Sequence, residues 1–301
     1  MIVLKEIMSL FLIILIGVYG KKRNIINEEV NIGLRKLLLD ITLPLLIINS
    51  FNFTFQGEMK SNVLVAFIYS IAFFIVGIIT SYIFLIGIKG EKKKILHFAN
   101  IFSNCGFIGF PIINSLFGAE GMVYASIFNM VFNIFLWTYG VMIFSNKVSK
   151  DSIKNVLLNP AIIAVYIGVI MMIFNIKLPS FILESTKLVG NMTPPISMII
   201  VGVMLADVKI KDVFKEPTIY YGAIIKLIII PLNLYFIKLL LKENSTIINT
   251  IILIQAMPAA AMTTIFSLDF NKEKEYSAIV VFISTLLSII TIPIVVKIII
   301  N

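Results

Sequence analysis

The chain has 301 residues, 59% apolar and 14% charged, with a net charge of +9 and a mean hydropathy of +1.03. A soluble domain carries roughly 45–50% apolar and about 25% charged residues, so these figures exclude a water-covered globule along with disordered, collagen-like and coiled-coil classes. The basic residues sit in short segments between apolar runs, which fits a membrane-orientation signal and argues against nucleic acid as a partner.

A helix needs about 20 mostly apolar residues to cross a bilayer. That window, split at charged and turn-forming clusters, yields ten spans: 2–20, 30–52, 62–88, 95–116, 121–144, 155–174, 185–206, 218–240, 246–267 and 275–300. The first apolar run ends in Gly20-Lys21-Lys22-Arg23 with no small-x-small cleavage pattern, so it reads as a span and not as a signal peptide. In the second span, Lys36 and Asp40 are four apart on one helical face, spaced for a neutralised pair; Asp40 as a coupling site is the sharper alternative. The run Ile68 to Ile79 in the third span is apolar on every face, where a β-barrel strand would alternate. An all-α polytopic membrane protein is expected.

The fourth span carries the strongest local signal, Asn100-Ile101-Phe102-Ser103-Asn104-Cys105-Gly106-Phe107-Ile108-Gly109-Phe110-Pro111-Ile112-Ile113-Asn114, whose asparagine amides add donors and acceptors without a fixed charge. Glycine and proline weaken a helix, and proline removes a backbone donor. A carbonyl freed in hydrocarbon costs several kcal/mol unless protein, water or a ligand satisfies it, so an interrupted helix at this depth lines a cavity. His97, beside Lys92, Lys93 and Lys94, reads as interfacial, and Cys105 as a small packing residue. In the fifth span Asn129 and Asn133, four apart, either face the broken segment or hydrogen-bond between helices. The numerous Met and Phe side chains read as apolar filler. The polar linker 145–155 divides the chain into halves, 1–150 and 151–301.

Pro194-Pro195 lies in the seventh span. The eighth embeds Lys226 among Ile224, Ile225, Leu227 and Ile228. A charge at bilayer depth costs at least about 2.5 kcal/mol on insertion scales, so Lys226 needs a partner or water. It either attracts an anion or couples transport, or else it snorkels to an interface or is paired structurally. The ninth span is broken at Gln255-Ala256-Met257-Pro258-Ala259-Ala260, and Thr263 follows. Small residues there admit a neighbouring backbone.

Two proline offsets relate the halves: 151 from Pro44 to Pro195 and 147 from Pro111 to Pro258. With five spans per half, the second half enters the membrane from the opposite side. Such an inverted repeat typifies secondary transporters, which place broken helices at a midplane site. Alternate loops hold 15 and 7 of the basic residues, so the richer side is expected in the cytoplasm and both termini outside. Exposed amides and half-helix dipoles at the breaks favour an anion. The candidate substrate-binding residues are Asn104, Cys105, Gly106, Gly109, Pro111, Gln255, Pro258, Ala259 and Thr263. Lys226, Asp40, Asn129 and Asn133 are the candidates for coupling or anion attraction. One cysteine and one histidine leave no material for a metal cluster. No nucleotide-binding loop is present, and no cofactor, metal or enzymatic activity is expected.

The stretch from Asn104 to Pro111, followed by Gly118-Ala119-Glu120-Gly121, resembles the Asn-x-Gly-Phe-x-Gly-x-Pro signature of bacterial auxin efflux carrier family transporters. Thr193-Pro194-Pro195, Gly202 and Leu205-Ala206 look like that family's seventh span. Ala256-Met257-Pro258-Ala259-Ala260, Ser284-Thr285 and Pro293 look like its ninth and tenth. The resemblance covers essentially the whole chain. It implies a fold like that of sodium/proton antiporters and bile-acid transporters: a scaffold bundle (spans 1, 2, 6 and 7), a transport bundle (spans 3–5 and 8–10), and crossing helices 4 and 9. It also implies elevator-like carriage of an organic anion across the cytoplasmic membrane, with Asn104 aligned to an asparagine that contacts the substrate carboxylate. Ser103 stands where plant members have proline, and the long plant cytoplasmic loop is missing, which departs from carriers of auxin itself. The partners expected are the lipid bilayer, a small organic anion and, if the chain self-associates, a second copy through the scaffold bundle. The rival on the same fold is a sodium- or proton-coupled carrier of a bile-acid-like sterol or a cation.

Overall fold

The computed structural model describes residues 2–52, 59–145, 158, 160–206, 216–270 and 272–300. Among these the chain is helical apart from short turns, and its one β-type contact is an isolated antiparallel bridge between Ser103 and Ala259. Among the described residues, four stretches meet the length and composition needed to cross a membrane: Ser61–Phe84, Cys105–Phe144, Pro217–Leu241 and Glu275–Ile299. Ile2–Lys22 is also a continuous apolar helix of 21 residues, and the other apolar runs are shorter or broken. The run 30–52 passes through a π-helical turn, Leu38–Thr42, between the helices Glu28–Leu37 and Leu43–Ser50. The run 155–174 contains the described helix Pro160–Phe174.

The run Cys105–Phe144 spans what the sequence reads as two spans separated at 117–120. Gly118 marks that division, with φ 57° and ψ −146° inside the helix Phe110–Phe135. That backbone region is open essentially to glycine alone.

The chain divides into two compact units. The first comprises Met1–Ile68, Gly106–Val131 and Lys154–Asp207. Within it the helices Ile2–Lys22 and Thr193–Ala206 pack backbone against backbone. A methyl at Gly17 would run into the Ile199 carbonyl oxygen, and one at Gly202 into the Ile14 carbonyl oxygen. Small residues that let backbones meet are the usual device where helices gain no hydrophobic drive from lipid. The helix Leu43–Ser50 packs against Pro160–Phe174 and Ser180–Gly190. Thr186 donates to Asn49 Oδ1 at 2.8 Å, and Thr193 donates to Thr42 Oγ1 at 3.0 Å. Lys36 and Asp40 are both exposed and form no ion pair with each other. The expected neutralised pair is therefore absent, as an exposed pair gains too little to fix two side chains.

The second unit comprises Tyr69–Cys105, Phe132–Ile153 and Val208–Asn301. Its helix Gly90–Ile101 packs against Lys274–Ile300, Pro217–Ile224 and Met262–Asp269. Lys92 pairs with Glu216 at 2.8 Å, and Lys272 with Glu91 at 3.2 Å. An aromatic cluster fills the interior: Phe98 and Phe102 at 4.5 Å between centroids, Phe74 and Phe135 stacked at 4.9 Å, and Phe102 edge-on to Phe132 at 5.5 Å. These rings are packed in specific geometry, which the reading of phenylalanine as apolar filler does not capture.

Candidate functional site: a paired break between two helices

Two helices of the second unit stop short. Gly90–Ile101 ends where Phe102 turns to extended backbone, and Thr246–Gln255 ends three residues before Pro258. Proline and a run of small residues account for the second break, because Pro258 cannot donate to the preceding turn. The last carbonyls of a helix have no intrahelical partner, and in hydrocarbon each must find one.

The two breaks satisfy each other. Asn104 N–H donates to Pro258 O at 2.7 Å, and Ala260 N–H donates to Phe102 O at 2.8 Å. These two bonds frame the Ser103–Ala259 bridge. The side chains complete the pattern. Ser103 Oγ donates to Gln255, at 3.0 Å to Oε1 and 3.1 Å to the backbone oxygen. Gln255 Nε2 reaches Ile101 O at 3.4 Å. Ala259 N–H donates to Ser284 Oγ at 3.2 Å. Gly77 leaves room for the glutamine, since a methyl there would stand 3.0 Å from Gln255 Nε2.

Lys226 enters this arrangement from a π-helical turn, Ile225–Ile229. It is 1% exposed. Its Nζ donates to Asn100 O at 3.0 Å and to Ser103 Oγ at 2.6 Å. Of the two structural readings of Lys226, snorkelling does not hold and pairing within the protein does: its Nζ is turned inward onto Asn100 and Ser103. No carboxylate pairs with it among the described residues. The ammonium instead meets the C-terminal end of the helix Gly90–Ile101, where the helix dipole presents partial negative charge.

Asn104, Gln255, Pro258, Ala259 and Lys226 thus converge, with Ser103 as the atom-level junction. Asn104 is 5% exposed, and Cys105 is buried at the start of the π-helical turn Cys105–Gly109. Thr263 lies just beyond, at the start of Met262–Asp269, with Oγ1 buried and no hydrogen-bond partner. Gly106, Gly109 and Pro111 belong to the first unit, as do Asp40 and Asn129, whereas Asn133 belongs to the second. Gly109, Pro111, Asn129 and Asn133 are buried and Asp40 is exposed.

His97 is turned into the protein and not onto its surface. It is 8% exposed, with Nδ1 2.9 Å from Ser81 Oγ and Nε2 2.8 Å from Tyr139 OH. Asn100 Nδ2 donates to the same Ser81 hydroxyl at 3.2 Å, while Asn100 Oδ1 is buried without a donor. The sequence reading singled out Asn100 among the amides of the broken span, gave Phe102 no role and saw Ser103 only as a departure from proline. The available signal was three polar residues, Asn100, Ser103 and Asn104, at the end of one apolar run. No cluster of three or more His, Cys, Asp or Glu suited to a metal occurs among the described residues.

Comparison with known proteins agrees with a membrane carrier. The family model described as "Membrane transport protein" matches twice, over residues 2–155 and 145–296. An uncharacterized transporter of Methanocaldococcus jannaschii is 24% identical, with 97% of each chain covered. One of Methanothermobacter thermautotrophicus is 23% identical over 96% of each. The uncharacterized transporter YfdV of Escherichia coli is 21% identical over 96% of this chain and 95% of its own.

Proposed function

We propose, since the chain belongs to the auxin efflux carrier family of membrane transport proteins, that it is a secondary transporter of a small organic anion, a carboxylate. The observation that carries this reading is the paired break. It gathers amides, hydroxyls and one buried lysine, with no acidic residue between 104 and 111 or between 255 and 264. A carboxylate placed beside such groups gains hydrogen bonds and an opposite charge without meeting repulsion. A cation would find no formal negative charge in these segments, which disfavours the cation-carrying rival.

The wider architecture follows from the same premise. Ten spans form two inverted five-helix repeats, 1–150 and 151–301, whose fourth and ninth spans cross at the break. The double family match supports the duplication. So do hydrogen bonds between residues half a chain apart, Thr42 with Thr193 (offset 151) and Ser103 with Gln255 (offset 152). Spans 1, 2, 6 and 7 serve as scaffold and the rest as the moving bundle of an elevator. The site is Asn104, Gln255, Pro258, Ala259 and Thr263, flanked in sequence by Cys105, Gly106, Gly109 and Pro111. The protein lies in the cytoplasmic membrane with both termini outside, and any homodimer forms through the scaffold.

The test is a thermal-shift screen of the purified protein against carboxylates, varied over sodium concentration and pH. A ligand that binds only the folded state raises apparent stability by mass action. Stabilisation by a set of carboxylates is expected; stabilisation by cations or neutral solutes alone would reject the reading.

A further inference from the structure

A buried charge is retained only where the surrounding groups offset its desolvation. Around Lys226 those groups are oxygens of one short stretch: the Asn100 carbonyl at 3.0 Å and the Ser103 hydroxyl at 2.6 Å. Both ligating residues are fully buried. Carbonyl and hydroxyl oxygens are also donors that hard cations take. The C-terminal end of Gly90–Ile101 adds the partial negative charge that a monovalent cation seeks.

We infer that Asn100 and Ser103 form a monovalent-cation site that the chain fills with its own lysine. The ammonium of Lys226 is a tethered stand-in for a free cation. It bridges the end of one broken helix to Ser103, and Ser103 passes the contact to Gln255 at the end of the other. Holding the two breaks together therefore needs no ion from solution. The consequence for transport, that the pairing is assembled without sodium, rests on the carrier reading above. The site itself does not depend on that reading.

The experiment uses Lys226→Ala and Lys226→Met in purified full-length protein and follows thermal unfolding in choline, sodium and methylammonium chlorides at equal ionic strength. Alanine empties the site. Methionine keeps an unbranched stem in place but removes the charge. In choline both variants are expected to melt below wild type. Methylammonium or sodium is expected to raise the midpoint of Lys226→Ala by about 3 °C or more, with wild type and Lys226→Met unmoved. An equal rise in all three proteins would be a general salt effect and would overturn the proposal. So would variants as stable as wild type in choline, since Lys226 would then be dispensable packing. If Lys226→Ala does not fold in choline, extraction in methylammonium becomes the assay, and failure in both salts also overturns it. No substrate is needed, so a negative result here leaves the carboxylate screen standing, and a failed screen leaves this result standing.

Discussion

Ser103 is among the smallest side chains at the paired break, and it has the most demanding set of partners. It accepts from Lys226 while donating to Gln255, so one hydroxyl joins three elements of the second unit. Proline at this position could do neither. Beside it, Asn104 is fixed through its backbone to Pro258, which sets where the amide side chain starts. If that amide binds the substrate carboxylate, Asn104→Ala removes a hydrogen bond to a charged group, typically about 1.5–3 kcal/mol. Uptake at subsaturating substrate is then expected to fall roughly 10- to 100-fold, with the amount of folded protein in the membrane unchanged. Wild-type uptake and affinity in the variant would reassign Asn104 to packing. Gly118 makes a separate residue-scale prediction. Its positive φ admits a side chain only with strain of about 1–3 kcal/mol, so Gly118→Ala should melt measurably earlier although no atom obstructs the new methyl.

At the scale of elements, the two breaks were legible in the sequence because glycine and proline act locally: no partner is needed to see that Pro258 interrupts a helix. The pairing between the breaks was not legible. It depends on which carbonyl meets which amide across about 150 residues, and residue type does not encode that register. His97 shows the same limit from the other side. Its lysine neighbours suggested the membrane surface, but Ser81 and Tyr139, from distant parts of the chain, supply the two hydroxyls that let the ring be buried. Lys36 and Asp40 had the right spacing and still remain apart in the structure. In the first unit, the contact of Ile2–Lys22 with Thr193–Ala206 rests on Gly17 and Gly202. Overpacking a tight interface costs typically about 1–3 kcal/mol, and here backbone atoms, which cannot swing aside, receive the new group. Gly202→Ala and Gly17→Ala should each lower the melting midpoint, and the double variant should lose less than the sum, because one separation of the helices relieves both clashes. Full additivity, or no loss, would contradict backbone contact at this pair.

For the whole molecule, the proposed account makes transport depend on the charge of the cargo and on no sodium site. An anion leaving an inside-negative cell gains about 2.3 kcal/mol per charge per 100 mV. That corresponds to roughly a 50-fold concentration ratio over the same 100 mV. Uncoupled export is therefore self-driving, whereas import requires a co-transported proton or a steep substrate gradient. The direct measurement is carboxylate flux in proteoliposomes under a potassium-diffusion potential, with sodium absent from both sides. The account predicts that flux changes in rate when the potential is imposed and follows its sign when the potential is reversed. Flux that ignored the potential and appeared only with a sodium gradient would contradict it.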